Sequence, residues 1–318
     1  MKRIVLTGAT GAIGVALMEE CMKQNIEMLV LCRKDSAHLN RIPSSPLVKL
    51  VLCGLNEMND FPVKKEGYDI FFHLGWDGTT GNKRNDLYLQ NCNIAYTLDA
   101  VHLAKRLGCH TFIGAGSQAE YGRTEKKINE HTPVNPENGN GIAKLCSGMM
   151  SRLECKKEGI RHIWARILSV YGPCNGDDTL IISAIRMLLQ GKEPQLTPGE
   201  QIWDYLYSED AARALLLLGE RGKDGEVYCL GSGIGKPLRE YLYELRDVVN
   251  PKIPLGFGKR PYGEQQVMCL HADIRKLQED TGFEPQICFS EGIRKTMEWV
   301  KRTKEEKYEK DQYNDSLL

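Results

Sequence analysis

The chain has 318 residues with an ordinary hydrophobic share of 42%, and its 42 Lys and Arg residues balance 42 Asp and Glu residues. This neutral balance gives no electrostatic reason to expect nucleic acid or an anionic membrane as a partner. No apolar run approaches the ~20 residues of a membrane-spanning helix, and a strand pattern begins at residue 2. We therefore expect a soluble, cytoplasmic protein without a signal peptide.

Six short apolar runs alternate with longer helical patterns over the first half of the chain. The runs cover residues 2–7, 28–32, 48–53, 69–74, 111–116 and 162–168, and the helical patterns include 13–24, 89–107 and 139–158. Continuous apolar strands are typical of a parallel sheet that is covered on both faces. Their alternation with helices predicts an α/β fold built on a doubly wound Rossmann sheet.

The regularity falls after residue 172. A helix near 178–190, a segment around 202–220, a strand at 225–231 and helices near 237–249 and 290–302 form a mixed second half. We predict a dinucleotide-binding domain over residues 1–172, with a return segment at about 202–224. A smaller mixed α/β substrate domain is predicted to consist mostly of residues 173–318.

The eleven cysteines lie far apart in the sequence, and no two of them form a C-x-x-C pair. This spacing gives no support to a zinc site or a thioredoxin-like redox motif. A disulfide framework is also not expected in a chain of this length without a secretion signal. We expect free, buried thiols and no metal site.

A glycine-rich loop follows the first predicted strand, with the spacing G-x-x-G-x-x-G. The first glycine permits a tight turn, the second lets backbone N–H groups approach a pyrophosphate, and the third permits close helix packing. The following helix directs its positive N-terminal end at the phosphates. The residues predicted to bind a dinucleotide here are Gly8, Thr10, Gly11, Ala12, Ile13 and Gly14.

The second predicted strand lacks the acidic residue that usually holds the adenosine ribose. Cys32 occupies that position and is followed by Arg33 and Lys34. An arginine can grip a 2′-phosphate with two parallel hydrogen bonds, so Arg33 favours NADP over NAD. The alternative is that Arg33 is an ordinary solvated charge. Leu55, after the third strand, is predicted to meet adenine through its backbone.

Several later stretches together resemble the extended short-chain dehydrogenase/reductases, which include nucleotide-sugar epimerases, dehydratases and 4-ketoreductases. They cover residues 73–76 (HLGW), 116–122 (GSQAEYG), 140–144 (NGIAK), 166–173, 203–210 and 255–262. The resemblance spans nearly the whole chain. It implies that Leu74 and Gly75 contact the cofactor, and that the helices at 89–107 and 139–158 pair across a two-fold axis in a homodimer.

In that family a Ser or Thr binds the substrate oxygen, and a Tyr of a Tyr-x-x-x-Lys pair transfers the proton. The Lys of the pair binds the nicotinamide ribose of the cofactor and lowers the pKa of the Tyr by its positive charge. Ser117 and Lys144 match the first and last of these, but Asn140 stands where the Tyr is expected. An amide forms hydrogen bonds but has no useful acid–base pKa, although Asn140 can orient a water on Lys144. Another donor is needed for hydride chemistry, either Tyr121, Glu120, Tyr262 or an ordered water; Tyr121 also suits a purely structural role.

The residues after Ser117 limit which of the family's reactions can be expected. Dehydratases of the family carry Asp-Glu there, whereas this chain has Gln118 and Ala119, which disfavours elimination. Ketone reduction and epimerisation remain. The stretches at 116–122 and 258–262 resemble the CDP-abequose and CDP-paratose synthase group, which favours reduction. Because of Asn140, the alternative is a catalytically silent protein that binds cofactor or nucleotide sugar as a sensor or partner subunit.

The substrate is expected between the two halves of the chain. Asp77, Thr79 and Thr80 follow the carboxyl end of the fourth strand, where ligands of α/β proteins bind. They are predicted to bond sugar hydroxyls, and Arg260 to pair with substrate phosphates. The alternatives are an ordinary polar loop and a surface arginine. His73 is expected to be a packed histidine rather than a ligand.

Overall fold

The computed structural model describes residues 1–63 and 67–315, with side chains to residue 303. Seven parallel strands form the main sheet. They are β1 (Arg3–Thr7), β2 (Glu27–Cys32), β3 (Val48–Leu52), β4 (Ile70–His73), β5 (Thr111–Ser117), β6 (Arg161–Ile167) and β10 (Glu226–Leu230). Their order across the sheet is β3-β2-β1-β4-β5-β6-β10. This order confirms the predicted Rossmann fold and places the topological switch between β1 and β4.

Helices cover both faces of the sheet. Helix α1 (Ala12–Lys23) packs beside α5 (Ser208–Arg221), and α2 (Leu87–Arg106) packs beside α3 (Gly139–Glu158). Successive β1 residues enter different cores, since Ile4 and Leu6 join the cluster with α1 and α5 while Val5 joins the cluster with α2 and α3. Burial on both faces explains why the strands read as continuous apolar runs.

The second half of the chain forms a smaller layer. Its helices are α4 (Leu180–Leu189), α6 (Leu238–Val249), α7 (Arg275–Thr281) and α8 (Phe289–Asp315). A three-stranded sheet contains β8 (Ile202–Trp203), β11 (Lys236–Pro237) and β12 (Cys269–Leu270), and β7 (Ser169–Tyr171) pairs with β9 (Tyr205–Tyr207). Helices α4, α6 and α8 pack together around a core that includes Tyr171 and Tyr207.

Strand β10 differs from the sequence-based expectation, which assigned it to the mixed second half. It pairs with β6 as the seventh strand of the main sheet. Helix α5 packs beside α1 and so returns the chain to this edge. The segment that returns to the Rossmann half therefore runs to Leu230. Asp204 fixes the next turn, because its buried carboxylate accepts hydrogen bonds from the backbone of Ser232, Gly233 and Ala272.

Three glycines create a slot for the indole ring of Trp164 on β6. A Cβ added to Gly114, Gly116 or Gly148 would lie 2.1, 2.4 or 2.6 Å from that ring. Gly114 and Gly116 belong to β5, and Gly148 belongs to α3. The absence of side chains at these positions lets α3 approach the sheet closely around the ring.

The cysteines are all free thiols, as expected, but only six of the eleven are buried. Cys92 and Cys288 are exposed, and the other three are partly exposed. Among the described residues, no helix combines the length and the apolar character needed to cross a membrane.

Candidate active site

The glycine-rich loop forms the turn between β1 and α1. Gly8 has φ +76°, and a Cβ there would lie 2.6 Å from the backbone nitrogen of Gly75. A Cβ on Gly14 would lie 2.2 Å from the carbonyl oxygen of Gly8. Both positions therefore require glycine, for a positive φ and for close packing respectively.

Gly11 is different, because nothing in the protein occupies the space that its side chain would fill. A Cβ there would be 3.7 Å from Gly8 O and would meet no other heavy atom within 4 Å. Gly11 is the N-cap of α1 and has φ −82°, which any residue can adopt. Free space at a helix N-terminus fits the phosphates of a dinucleotide.

A cleft of about 680 Å³ runs over the ends of β1 to β4, at the switch point of the sheet. Thr10, Arg33, Leu55 and Gly75, all predicted to bind the cofactor, line this cleft together with Gly8. Leu74 lies between His73 and Gly75 at the end of β4. These residues fit a nicotinamide dinucleotide, and the loop at Gly8–Gly14 would hold its phosphates.

Arg33 forms ion pairs at the edge of this cleft. Its Nη1 lies 3.2 Å from Asp77 Oδ1, and its Nε lies 3.6 Å from Asp35 Oδ1. Asp77 was expected on the substrate side, yet it lines the cofactor cleft. Arg33 therefore lies between two carboxylates of the cleft, Asp35 from its own loop and Asp77 from the loop after β4.

Lys144 projects from α3 into the interior and is only 6% exposed. Its Nζ donates a 2.5 Å hydrogen bond to the carbonyl oxygen of Ala115 on β5. The same nitrogen lies 3.7 Å from the centroid of the Trp76 ring, a cation–π contact. Burial lowers the pKa of the Lys144 amine to about 7, and the negative charge of Glu120 acts in the opposite direction.

Asn140 and Trp76 share a partner, Gln90 on α2. The Trp76 indole N–H donates to Gln90 Oε1 at 2.9 Å, and the Asn140 amide lies 3.5 Å from the same oxygen. Gln90 Nε2 donates to the carbonyl oxygens of Gly78 and Lys83, both at 3.0 Å. Sequence reasoning missed Trp76 and Gln90; the only signal was that Trp76 directly follows the predicted cofactor contact at Gly75.

Ser117 lies at the end of β5 and begins a 3-10 turn over Gln118–Glu120. Its Oγ accepts the backbone N–H of Ala119 at 3.1 Å. The hydroxyl proton therefore remains available for a substrate oxygen. Ser117 is two residues beyond Ala115, the partner of Lys144, and such positions on a strand are roughly 7 Å apart.

Glu120 has no exposed surface and forms a buried ion pair. Its Oε2 accepts from Arg166 Nε at 2.6 Å, and its Oε1 accepts from Trp164 Nε1 at 3.0 Å and from the backbone of Ser117 at 2.8 Å. Both carboxylate oxygens are thus engaged in fixing β6 and the turn that carries Ser117.

The two tyrosines considered as proton donors also have partners. Tyr121 is 1% exposed, and its hydroxyl lies 3.1 Å from the sulfur of Cys229 in the core; burial raises its pKa above the usual range. The hydroxyl of Tyr262 donates to Gln201 Oε1 and accepts from the backbone of Glu200, both at 3.0 Å. For Tyr121, the burial and the contact with Cys229 favour a purely structural role over that of a proton donor.

A second cleft, of about 260 Å³, lies beside the N-terminus of α3. Its lining is rich in amide and charged side chains: Asn85, Gln118, Asn138, Gln265, Arg84, Arg123 and Glu137. Thr79 and Thr80 are exposed and stand in the chain between Asp77, in the first cleft, and Gly81, in the second. Arg260 is exposed, and its backbone amide donates to Leu196.

His73 is a packed histidine, as expected. It is 2% exposed, and its Nδ1 lies 3.1 Å from the hydroxyl of Thr7. Burial, followed by the charge of Lys144, lowers its pKa to about 3. The ring is therefore neutral at physiological pH.

A sequence profile describing the NAD dependent epimerase/dehydratase family matches residues 4–231, well over half of the chain. The chain belongs to the NAD dependent epimerase/dehydratase family. The family resemblance inferred from the sequence is thereby confirmed, and with it an enzyme family that acts on nucleotide sugars. The closer likeness to CDP-abequose and CDP-paratose synthases remains a prediction.

Relatives of this family member match over nearly its whole length. A putative UDP-glucose 4-epimerase of Methanocaldococcus jannaschii is 24% identical over 310 residues, which cover 94% of this chain and 98% of that protein. The UDP-glucose 4-epimerase of Thermotoga maritima, solved with UDP-glucose, superposes with a TM-score of 0.84 at 23% identity, covering 95% and 99% of the two chains.

A second similar structure contains a reduced cofactor. RMD from Pseudomonas aeruginosa, complexed with NADPH, has a TM-score of 0.76 at 22% identity and covers 95% of this chain and 100% of its own. At these identities, the solved structures establish the shared fold of the family member and nothing finer.

Proposed function

We propose that this family member is a nicotinamide-dependent oxidoreductase that reduces a keto group of a nucleotide sugar or epimerises a sugar carbon. The observation that carries the proposal is the buried amine of Lys144, which lies against Trp76 at the cofactor cleft, close to Ser117. Gln118 and Ala119 follow Ser117 in place of an acid–base pair, which disfavours elimination. Between the two remaining reactions, the resemblance favours 4-keto reduction.

The proposed cofactor is NADP, with NAD as the alternative. When bound, the nicotinamide supplies or removes hydride at the sugar carbon. The side chain of Arg33 is 59% exposed at the cleft and available to a 2′-phosphate, provided that it exchanges Asp77 for that ligand. Leu55, Leu74 and Gly75 would enclose the rest of the cofactor.

The proposed substrate lies in the second cleft, beside Ser117. Amide groups and arginines along that cleft suit hydroxyl and phosphate groups. The Thermotoga maritima relative is described with UDP-glucose, which supports the substrate class. Thr79, Thr80 and Arg260 are proposed as further contacts that approach a bound substrate, and Asp77 as a contact shared with the cofactor side.

The second candidate function is catalytically silent binding, as a sensor or partner subunit. Asn140 favours it, because the amide at the usual Tyr position has no proton to transfer. Its nitrogen is directed to Gln90 Oε1, so the position has a structural partner of its own.

We also propose a homodimer formed through α2 and α3. Their outer surface exposes large apolar side chains at Leu87, Tyr88, Ile142, Met149 and Leu153, each more than half exposed. Large apolar side chains exposed on two helices that pack together suit an interaction site. Light scattering after size exclusion should give twice the chain mass, and Leu153→Glu should give the monomer; a monomeric wild type would contradict this part of the proposal.

The test of the proposed function follows NADPH absorbance with a panel of nucleotide-linked 4-keto-6-deoxy sugars. Wild type is compared with Asn140→Tyr, Lys144→Ala and the exposed control Lys156→Arg. Consumption by wild type and Lys156→Arg, but not by Lys144→Ala, supports the reductase. Turnover by Asn140→Tyr alone identifies a disabled site and supports silent binding. Wild type that interconverts two nucleotide sugars without net NADPH loss is an epimerase.

A further inference from the structure

We propose that Lys144 is itself the acid–base residue of this site, and that Trp76 is the residue that positions it. The proposal rests on the proposed function, because it assigns the proton that a carbonyl reduction or alcohol oxidation must move. Ser117 would bind the substrate oxygen, and Asn140 would take no part in proton transfer.

The surroundings of Lys144 suit a group that changes charge during a reaction. Buried lysines that serve only structure are usually paired with a carboxylate. Here the only hydrogen-bond partner of the amine among the described residues is the neutral carbonyl of Ala115. The Trp76 ring favours the ammonium form without locking it in an ion pair.

The titratable groups that Lys144 senses do not neutralise it. Glu120, in the turn after β5, is bonded to Arg166 and Trp164. His73, on β4, is neutral for the reasons given above. Glu120 favours the ammonium form through its charge, but among the described residues no ion pair or hydrogen bond joins either group to Lys144, so the amine is left to exchange its proton with a substrate.

Trp76 holds a defined orientation over the amine. Its indole N–H is bonded to Gln90 Oε1, and Gln90 is 2% exposed and anchored by its own amide to backbone carbonyls. An ammonium has three N–H bonds. One is used by Ala115 and one face is covered by the Trp76 ring, which leaves a donor for a substrate oxygen bound by Ser117.

The three other side chains considered as donors for this site are all engaged elsewhere. The hydroxyls of Tyr121 and Tyr262 bond Cys229 and Gln201, and the oxygens of Glu120 are occupied. Lys144 contacts Trp76, which lines the cofactor cleft. Its amine also bonds Ala115, which stands two residues before Ser117 on β5.

The proposed proton step converts a carbonyl and an ammonium into an alcohol and a neutral amine. In reduction, the carbonyl carbon takes hydride from the reduced nicotinamide while one Lys144 N–H bond breaks and an O–H bond forms on the substrate. The amine is left neutral, the substrate is an alcohol, and solvent water returns the proton to Lys144. In oxidation, the neutral amine takes the hydroxyl proton.

The first test measures Lys144 directly and needs no substrate. Full-length protein carries carbon-13 at the lysine Cε positions, and the NMR signal absent from Lys144→Met is assigned to Lys144. We expect its chemical shift to titrate near neutral pH; a midpoint close to the ordinary lysine value of about 10.4 would overturn the proposal. The midpoint should move in Trp76→Leu and return towards wild type in Trp76→Phe, whereas an unmoved midpoint in Trp76→Leu would overturn the role of Trp76.

The second test separates binding from chemistry with Lys144→Arg. A guanidinium keeps the positive charge but does not give up its proton. We expect NADPH affinity within a few-fold of wild type and kcat lower by about 10²–10⁴-fold, with Lys156→Arg on the same helix unchanged. Turnover that survives in Lys144→Arg overturns this inference alone. Wild type that fails to bind NADPH or to act on any nucleotide sugar overturns the proposed function and the inference with it.

Discussion

The guanidinium of Arg33 and the carboxylate of Asp77 meet at 3.2 Å across the cofactor cleft, although 44 positions separate them in the sequence. Arg33 follows β2 and Asp77 follows β4, so the pair joins two loops on either side of the first strand. If NADP is the cofactor, as proposed, its 2′-phosphate would compete with Asp77 for the guanidinium of Arg33.

Asp77→Asn should raise the affinity for NADPH relative to NADH. Removal of the carboxylate frees Arg33 and removes a negative charge that repels the phosphate. The pair is partly exposed, so the change in the ratio of dissociation constants is expected to be about 2–5-fold. Titration calorimetry with both cofactors measures the ratio of dissociation constants. The effect of Asp77→Asn on that ratio should be smaller at high salt.

Two further variants complete this comparison. Arg33→Ala should shift the ratio towards NADH, and Asp35→Asn, whose carboxylate lies farther from the guanidinium at 3.6 Å, should have a smaller effect than Asp77→Asn. An unchanged ratio of dissociation constants in Arg33→Ala would show that Arg33 does not contact the 2′-phosphate.

The stability of Lys144→Met relative to wild type should depend on pH. The pKa of Lys144 falls from 10.5 to about 7 on folding, so between these values the unfolded chain binds more protons. Wild-type stability therefore rises with pH by up to about 1.4 kcal/mol per unit over this range. The advantage of Lys144→Met, measured by denaturant unfolding, should be greatest near neutral pH and decline towards alkaline pH. Lys156→Met serves as control, and a constant difference for Lys144→Met would contradict the prediction.

Glu120→Gln should destabilise the protein strongly. The substitution leaves the Arg166 guanidinium, only 6% exposed, without its counter-charge, which costs about 3–5 kcal/mol. Chemical denaturation measures the loss. Glu137→Gln, which breaks the surface pair with Arg123, is the matched control and should have little effect on stability. Equal losses of stability in the two variants would contradict the larger contribution expected of the buried Glu120–Arg166 pair.

Gly148→Ala should lose stability because its Cβ would lie 2.6 Å from the Trp164 ring. Overpacking of this kind costs about 1–3 kcal/mol. Gly263→Ala, where an added Cβ meets nothing within 4 Å, should be close to neutral. Trp164→Phe combined with Gly148→Ala should lose less than the sum of the two single changes, and strict additivity would show that the ring and the helix are not in contact.

Local sequence patterns were sufficient for the Rossmann sheet and for the phosphate loop. The strands are continuous apolar runs because both faces are covered, and Gly8 and Gly14 are required by contacts within a few residues or at the adjacent strand end. The position of β10 was missed because a single strand of five residues carries no signal about which sheet it joins. Its pairing with β6 brings together distant parts of the chain, Glu226 opposite Ile163.

The side-chain pairs of the site could not be predicted in the same way. The contact of Trp76 with Lys144 joins residues 68 positions apart and depends on Gln90 from a third element. Asp77 is a polar residue after a strand, and only the fold shows that it turns towards Arg33. The functions of Ser117, Lys144 and Asn140 came from the family resemblance, and those assignments stay predictions until the variants above are measured.

The slot around Trp164 links the packing of the core to the position of the Lys144 amine. The thickness of one indole ring sets the spacing between β5 and α3, and the amine of Lys144 bridges the same two elements a single helical turn before Gly148. A smaller side chain at position 164 would let the helix settle inward and would change how far the amine of Lys144 extends beyond β5. The volume of a core side chain would therefore influence the reach of Lys144, the residue proposed to transfer the proton.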